Sequence, residues 1–155
     1  MKRTTQILFA LLLCVGFARP IPTGPESARA EVAALLTTQV RSWNQGDLNA
    51  FMQGYWQSDR TEYVGSGGIV QGWKAIQQRY QRTYQHGKSM GRLRFKNLQV
   101  TLLAPDAALA VGEYALQLRQ SGDKTSKGFF TLVLRRFPEG WRIINDHTSA
   151  YITKP

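Results

Sequence analysis

The sequence predicts a single α+β domain, and three observations carry that reading. Apolar residues recur at spacings of three and four up to Tyr84, which marks helices. From Arg92 onward the pattern changes to strands separated by short turns, and helices followed by an antiparallel meander are the α+β arrangement. The 155 residues contain no internal repeat or low-complexity segment, and that length supports one sizeable core.

Residues 1–18 stand apart from this core. Met1 to Arg3 are basic, and ILFALLLCVGFA (7–18) is an apolar run too short to span a bilayer but suited to the centre of a secretory signal peptide. Gly16-Phe17-Ala18 places small residues where a signal peptidase reads them, so cleavage is expected after Ala18 and export to the periplasm or medium follows. Ala28-Arg29-Ala30 lies too far past the apolar run to compete. A lipoprotein reading of Cys14 is disfavoured because Leu13, rather than a small residue, precedes it. Cleavage after Ala18 would remove the one cysteine, excluding disulfides, thiol catalysis and Cys-based zinc sites.

RPIPTGP (19–25) reads as a flexible leader, and the folded domain as residues 26–155. Pro25-Glu26 suits a helix start, with Val32, Leu35, Leu36, Val40 and Trp43 forming one stripe until Gly46. Asp47 is placed to cap a second helix whose stripe is Leu48, Phe51, Met52 and Tyr55. TEYVGSGGIVQG (61–72) reads as two short strands about a glycine turn; without a Lys-Ser/Thr sequel it is no phosphate loop. Trp73, Ile76, Tyr80 and Tyr84 mark a third helix, and HGKSMG (86–91) a loop. RLRFKNLQVTLL changes its apolar phase between Phe95 and Leu98, which predicts a β-bulge. Turns at APD, SGDK and PEG divide the rest into strands, and a bent sheet wrapped around helices leaves a cavity at one end.

The full chain carries 20 Lys+Arg against 10 Asp+Glu; without Lys2 and Arg3 the net charge is +8. The basic residues are scattered, and their densest cluster (Arg92, Arg94, Lys96) lies on a strand. That argues for a solvated face, or electrostatic contact with an anionic envelope, over nucleic acid.

Residues 44–84, with Asn-x-Gly-Asp between helices, an aromatic pair and a glycine-rich strand pair followed by Gly-Trp-x-x-Ile, together with GWRIINDHTS (140–149), resemble the nuclear transport factor 2-like superfamily. The SnoaL-like and exported bacterial branches are the more similar ones, and the resemblance covers about residues 30–152. It implies a cone-shaped, strongly curved antiparallel sheet with three N-terminal helices enclosing a pocket. Family members include isomerases, polyketide cyclases, dehydratases, association domains and plain binding proteins, so it does not fix a function.

The resemblance also implies site residues. In the family the last strand runs along the cavity wall, and its cavity-lining positions favour Ile144, Asp146 and Thr148 as the inward set, with Trp141, Ile143, Asn145 and His147 outward. Ketosteroid isomerase activity is excluded residue by residue. Its general base position falls on Tyr63, and its two oxyanion donors fall near Gln39 and Leu132, none of which retains the required type. The same register puts Glu113 on the cavity face, where it and Asp146 would form an acid/base pair among Tyr55, Trp56, Tyr63 and Tyr80. His147 would add a base if it faced inward.

Each residue also has a plainer reading. Glu113 or Asp146 would serve equally in surface pairs with arginines, His147 as a hydrogen-bonded structural residue, His86 as a solvated loop residue, and Trp43 and Phe51 as core. Two histidines without an acidic cluster point to no metal site, and no cofactor motif is present. Three functions stay open: a binding domain for a small apolar or aromatic ligand, a cofactor-independent acid/base enzyme, and a structural or association domain, in each case paired as a homodimer.

Overall fold

A computed structural model describes residues 24–84, 89–117 and 125–151. The expected leader, cleavage site and Cys14, most of the 19–25 lead-in, His86 and the SGDK turn lie outside the described residues.

Three helices and a six-stranded sheet make up the described residues. Helix α1 (Pro25–Asn44) has proline in its first turn, Glu26 near its N-terminus and Arg41 near its C-terminus, as the helix dipole favours. It buries Val32, Leu36, Gln39 and Trp43, the Gln39 amide donating to the Phe51 carbonyl and Trp43 packing on Phe51 and Tyr84. Gly46, with φ 77°, turns the chain in the left-handed region, and Asp47 then accepts the Ala50 N–H at 2.8 Å to cap α2 (Leu48–Met52).

Helix α2 is shorter than its apolar stripe suggests. Tyr55 lies beyond it, in a parallel bridge to Ile143. The Trp56 N–H donates to the Ile143 carbonyl and the Ile143 N–H to the Gly54 carbonyl, both at 2.9 Å.

The hairpin β1 (Glu62–Gly65) and β2 (Gly68–Gln71) precedes α3 (Trp73–Thr83), and β3 (Arg92–Ala104), β4 (Ala107–Gln117), β5 (Thr125–Phe137) and β6 (Gly140–Ala150) complete the sheet. Strand order is β2-β1-β6-β5-β4-β3. The sheet is not wholly antiparallel as expected: β1 runs parallel to β6, with Tyr63 opposite Asp146. The reason is topological. The meander β3–β6 has two edges, and the hairpin joins the β6 edge with β1 running in the same direction as β6.

Two irregularities matter for the site. The predicted bulge in β3 is present, with the register slipping between Lys96 and Gln99 around Asn97 at φ 51°. A second lies in β6: Val133 pairs with Asn145 but Leu134 with Ile143, so Ile144 is one residue too many.

Candidate functional site

The helices and the concave face of the sheet enclose a cavity of about 390 Å³. Strand alternation decides what reaches it. On β4 the even residues Ala108 to Leu116 face inward, and on β5 Phe130, Leu132 and Leu134 do. Across neighbouring strands, Tyr63, Asp146 and Leu132 align in one row and Thr148 and Phe130 in the next. Trp43, Phe51, Tyr80 and, at the end of α3, Tyr84 close the other side. Trp43 meets its neighbours edge-on, Phe51 and Tyr80 are tilted, Tyr80 stacks on Tyr84, and Phe95 packs on Phe130 with centroids 4.6 Å apart.

Asp146 is the acid in this wall, only 4% exposed. The Tyr55 hydroxyl donates to its Oδ2 at 2.6 Å and the Thr148 hydroxyl to its Oδ1 at 2.8 Å. Beyond Tyr55 stands the Tyr80 hydroxyl at 3.4 Å. Removal from water pushes the Asp146 carboxyl above the usual carboxylate range, although both hydroxyl bonds and the nearby His147 oppose that rise. Loss of water also raises the Tyr55 and Tyr80 phenols well above their ordinary value, and the Asp146 charge raises them further. Tyr84 is pushed up to about 12, chiefly by burial.

Of the residues singled out from sequence, Tyr55, Tyr63, Tyr80, Leu132, Asp146 and Thr148 line the cavity, and Gln39 does too. Four others do not. Ile144 is displaced by the β6 bulge: the extra residue resets the alternation, so Ile143 and Asp146 both face inward although their numbers differ in parity. Glu113 lies between the inward residues Gly112 and Tyr114, hence on the outer face, where it accepts a hydrogen bond from Asn97 at 2.7 Å. His147 follows Asp146 on the strand and is exposed on the opposite face. Trp56 follows inward Tyr55 in an extended segment and so points out, stacking on Phe137 at 5.1 Å.

Sequence reasoning did not assign Arg79, Tyr84, Tyr114, Ser126 or Ile143 to the cavity, yet all five line it. Tyr84 was legible in the third helix's stripe, and Tyr114 would have followed from the correct parity of its strand. Arg79 gave no apolar signal. Among the described residues no group of three or more His, Cys, Asp or Glu is disposed to hold a metal ion. None of the described helices is long and apolar enough to cross a membrane.

Curved sheet, helical mouth and polar-floored aromatic cavity together define a domain of the nuclear transport factor 2-like type. A family model described as a SnoaL-like domain matches residues 32–153, and the chain belongs to that family. A solved protein of unknown function from Shewanella oneidensis, also nuclear transport factor 2-like, is 33% identical, with a TM-score of 0.71 over 77% of this chain and 97% of its own. A nuclear transport factor 2-like superfamily protein from Salmonella enterica is 20% identical, with a TM-score of 0.71 over 85% and 96%. A protein from Novosphingobium aromaticivorans with a cystatin-like fold is 20% identical, with a TM-score of 0.67 over 83% and 85%. The last two likenesses bear on fold alone. No functionally curated protein matches the chain.

Proposed function

We propose that this chain is an exported small-molecule-binding domain whose ligand is compact, largely aromatic or apolar, and carries a hydrogen-bond donor that Asp146 accepts. One observation supports this above the rest: a buried carboxylate in an aromatic wall, with both oxygens oriented by Tyr55 and Thr148. A cavity of about 390 Å³ lies within the usual range for small-ligand pockets. The two hydroxyl bonds leave each carboxylate oxygen a further acceptor site, already aimed when the ligand arrives.

Thermal-shift and native mass-spectrometric screening of aromatic compounds tests the reading. Hits should raise the melting temperature and weaken on Asp146→Asn. A broad library without a saturable ligand, or hits indifferent to every cavity substitution, would count against it.

A second reading has a specific observation behind it. The raised Asp146 carboxyl and the Tyr55–Tyr80 hydroxyl pair make a proton-transfer arrangement for a cofactor-independent acid/base enzyme. Asp146 would act without Glu113 or His147, which face outward. Solvent deuterium exchange into enolisable ketones, abolished in Asp146→Asn, would establish it; no exchange above background leaves the binding reading alone.

Export rests on the 1–18 leader and is tested by N-terminal sequencing of the protein recovered from cells. Pairing through the outer sheet face rests on exposed Phe129 (48%) and Val111 (37%), and sedimentation of a Phe129→Lys variant tests it. A dimer insensitive to that change would place the interface elsewhere.

A further inference from the structure

We infer that the cavity selects an aromatic acid, with Arg79 anchoring the ligand's carboxylate or sulfonate. The inference rests on the binding reading above and names the class of ligand.

Arg79 is a half-buried cavity residue of α3, a helix that carries Lys74, Arg79 and Arg82 and no acid. Its guanidinium lies over the Tyr63 ring, 5.1 Å from the centroid, and Nη1 reaches toward Gly67 in the hairpin turn. Among the described residues Arg29, Arg135 and Arg136 have carboxylate partners, whereas Arg79 has none within ion-pair distance. No ion pair joins it to Asp146, although Tyr63 neighbours both: its strand position pairs with Asp146 and its ring supports the guanidinium. The Tyr63 ring supports the guanidinium and the Tyr63 hydroxyl accepts from it, and the remaining N–H groups, without a carboxylate partner among the described residues, suit an oxyanion.

The donor and acceptor inventory of the cavity points the same way. Trp43 Nε1 and Ser89 Oγ are buried without a hydrogen-bond partner among the described residues, and both residues line the cavity. Buried donors without acceptors are costly, so an occupant that supplies acceptor oxygens is favoured. Asp146, the one carboxylate in the wall among the described residues, receives two hydroxyl donors. Asp146 keeps a further acceptor site on each oxygen for a ligand donor, while the unpaired groups of Trp43 and Ser89 are satisfied by an anion's acceptor oxygens. The net charge of +8 without Lys2 and Arg3 favours the approach of such a ligand.

Two fluorescent probes of the same ring system separate charge from shape: 8-anilinonaphthalene-1-sulfonate and its neutral analogue N-phenyl-1-naphthylamine. Each is titrated into the purified protein, into Arg79→Gln and into Arg79→Lys, with mutual displacement used to show a shared site. Arg79→Gln should weaken the sulfonate about tenfold or more and leave the neutral probe's affinity in place. Arg79→Lys should recover part of the loss. Circular dichroism should be unchanged in both variants, because Arg79 is half-exposed. Equal weakening of both probes, an unaffected sulfonate, or a sulfonate that the neutral probe does not displace would overturn the assignment of Arg79 while leaving the cavity reading standing. Absence of saturable binding by either probe would sink the cavity reading itself.

Discussion

The Tyr55 hydroxyl and the Asp146 carboxylate, 91 residues apart in the chain, meet at 2.6 Å inside the fold. Tyr55→Phe strips Oδ2 of its donor without changing the ring's volume. Stability should fall by about 1–3 kcal/mol, the cost of leaving a buried acceptor unmatched. Because that bond holds the carboxyl down, its removal should also move the Asp146 titration upward. Urea unfolding and carboxyl ¹³C NMR check the two effects together; a titration that stays put would show that the bond does not form in solution.

Asp146 makes stability depend on pH with a definite sign. Its folded pKa lies above the ordinary 3.8, so the folded state holds the proton more tightly than the unfolded chain. Stability should therefore fall as pH rises from 3.8 through the folded value, and level off above it. In Asp146→Asn this component should vanish, so the variant gains on the wild type across that interval. Unfolding free energies in a pH series, taken as a difference between the two proteins, provide the check.

The tyrosines act at the other end of the scale. Tyr55, Tyr80 and Tyr84 are all raised in the folded state, Tyr84 to about 12, against an ordinary 10. Their contribution is intact below pH 10 and lost as pH climbs toward and past 12, because unfolded phenols ionise first. Absorbance of tyrosinate should lag behind that of free tyrosine and then rise together with loss of circular dichroism. A smooth titration centred near 10 for every tyrosine would contradict the buried cluster.

The β6 bulge separates two adjacent isoleucines. Ile143, 1% exposed, should cost about 2–5 kcal/mol on replacement by alanine, as buried aliphatic side chains do. Ile144, half-buried outside the cavity, should cost about 1 kcal/mol or less. Equal costs, or the reverse order, would mean that the strand runs in the unbulged register.

Glu113→Gln provides a contrast on the outer face. The change keeps an acceptor for Asn97 and touches nothing in the cavity, so probe affinities and the Asp146 titration should both stay where they are. A change in either would return Glu113 to the pocket.

Much of the fold was legible because local patterns and tertiary structure agree. Pro25-Glu26, Asp47, the glycine hairpin and the phase change at Phe95 each carry their own physical signal, and each is found where that signal lies. The parallel β1–β6 pairing has no local sign, since it depends on which edge of the meander the hairpin joins. In the site, Asp146 and Thr148 were placed on the cavity side, but Ile144 was too, because the adjacent apolar pair Ile143-Ile144 does not show which of the two a bulge turns outward. Glu113 was misassigned when its strand's parity was carried over from relatives, although Gly112 and Tyr114 alternate with it. Arg79 was hidden for a different reason. A lone cation on a helix looks the same from the sequence whether it meets water or a cavity.

The position of β6 near the middle of the sheet has a consequence for how the molecule is made. The last strand to be synthesised is the one that β1 and β5 both need as a neighbour. Until it emerges, the β1–β2 hairpin has no strand of the meander to pair with and Tyr55 has no Asp146, although α1 already has β3 to pack on. The β1–β6 pairing and the Tyr55–Asp146 bond join distant parts of the chain, so slow folding is expected. A ribosome stalled before Gly140 would carry a chain with exposed apolar surface, in need of a chaperone.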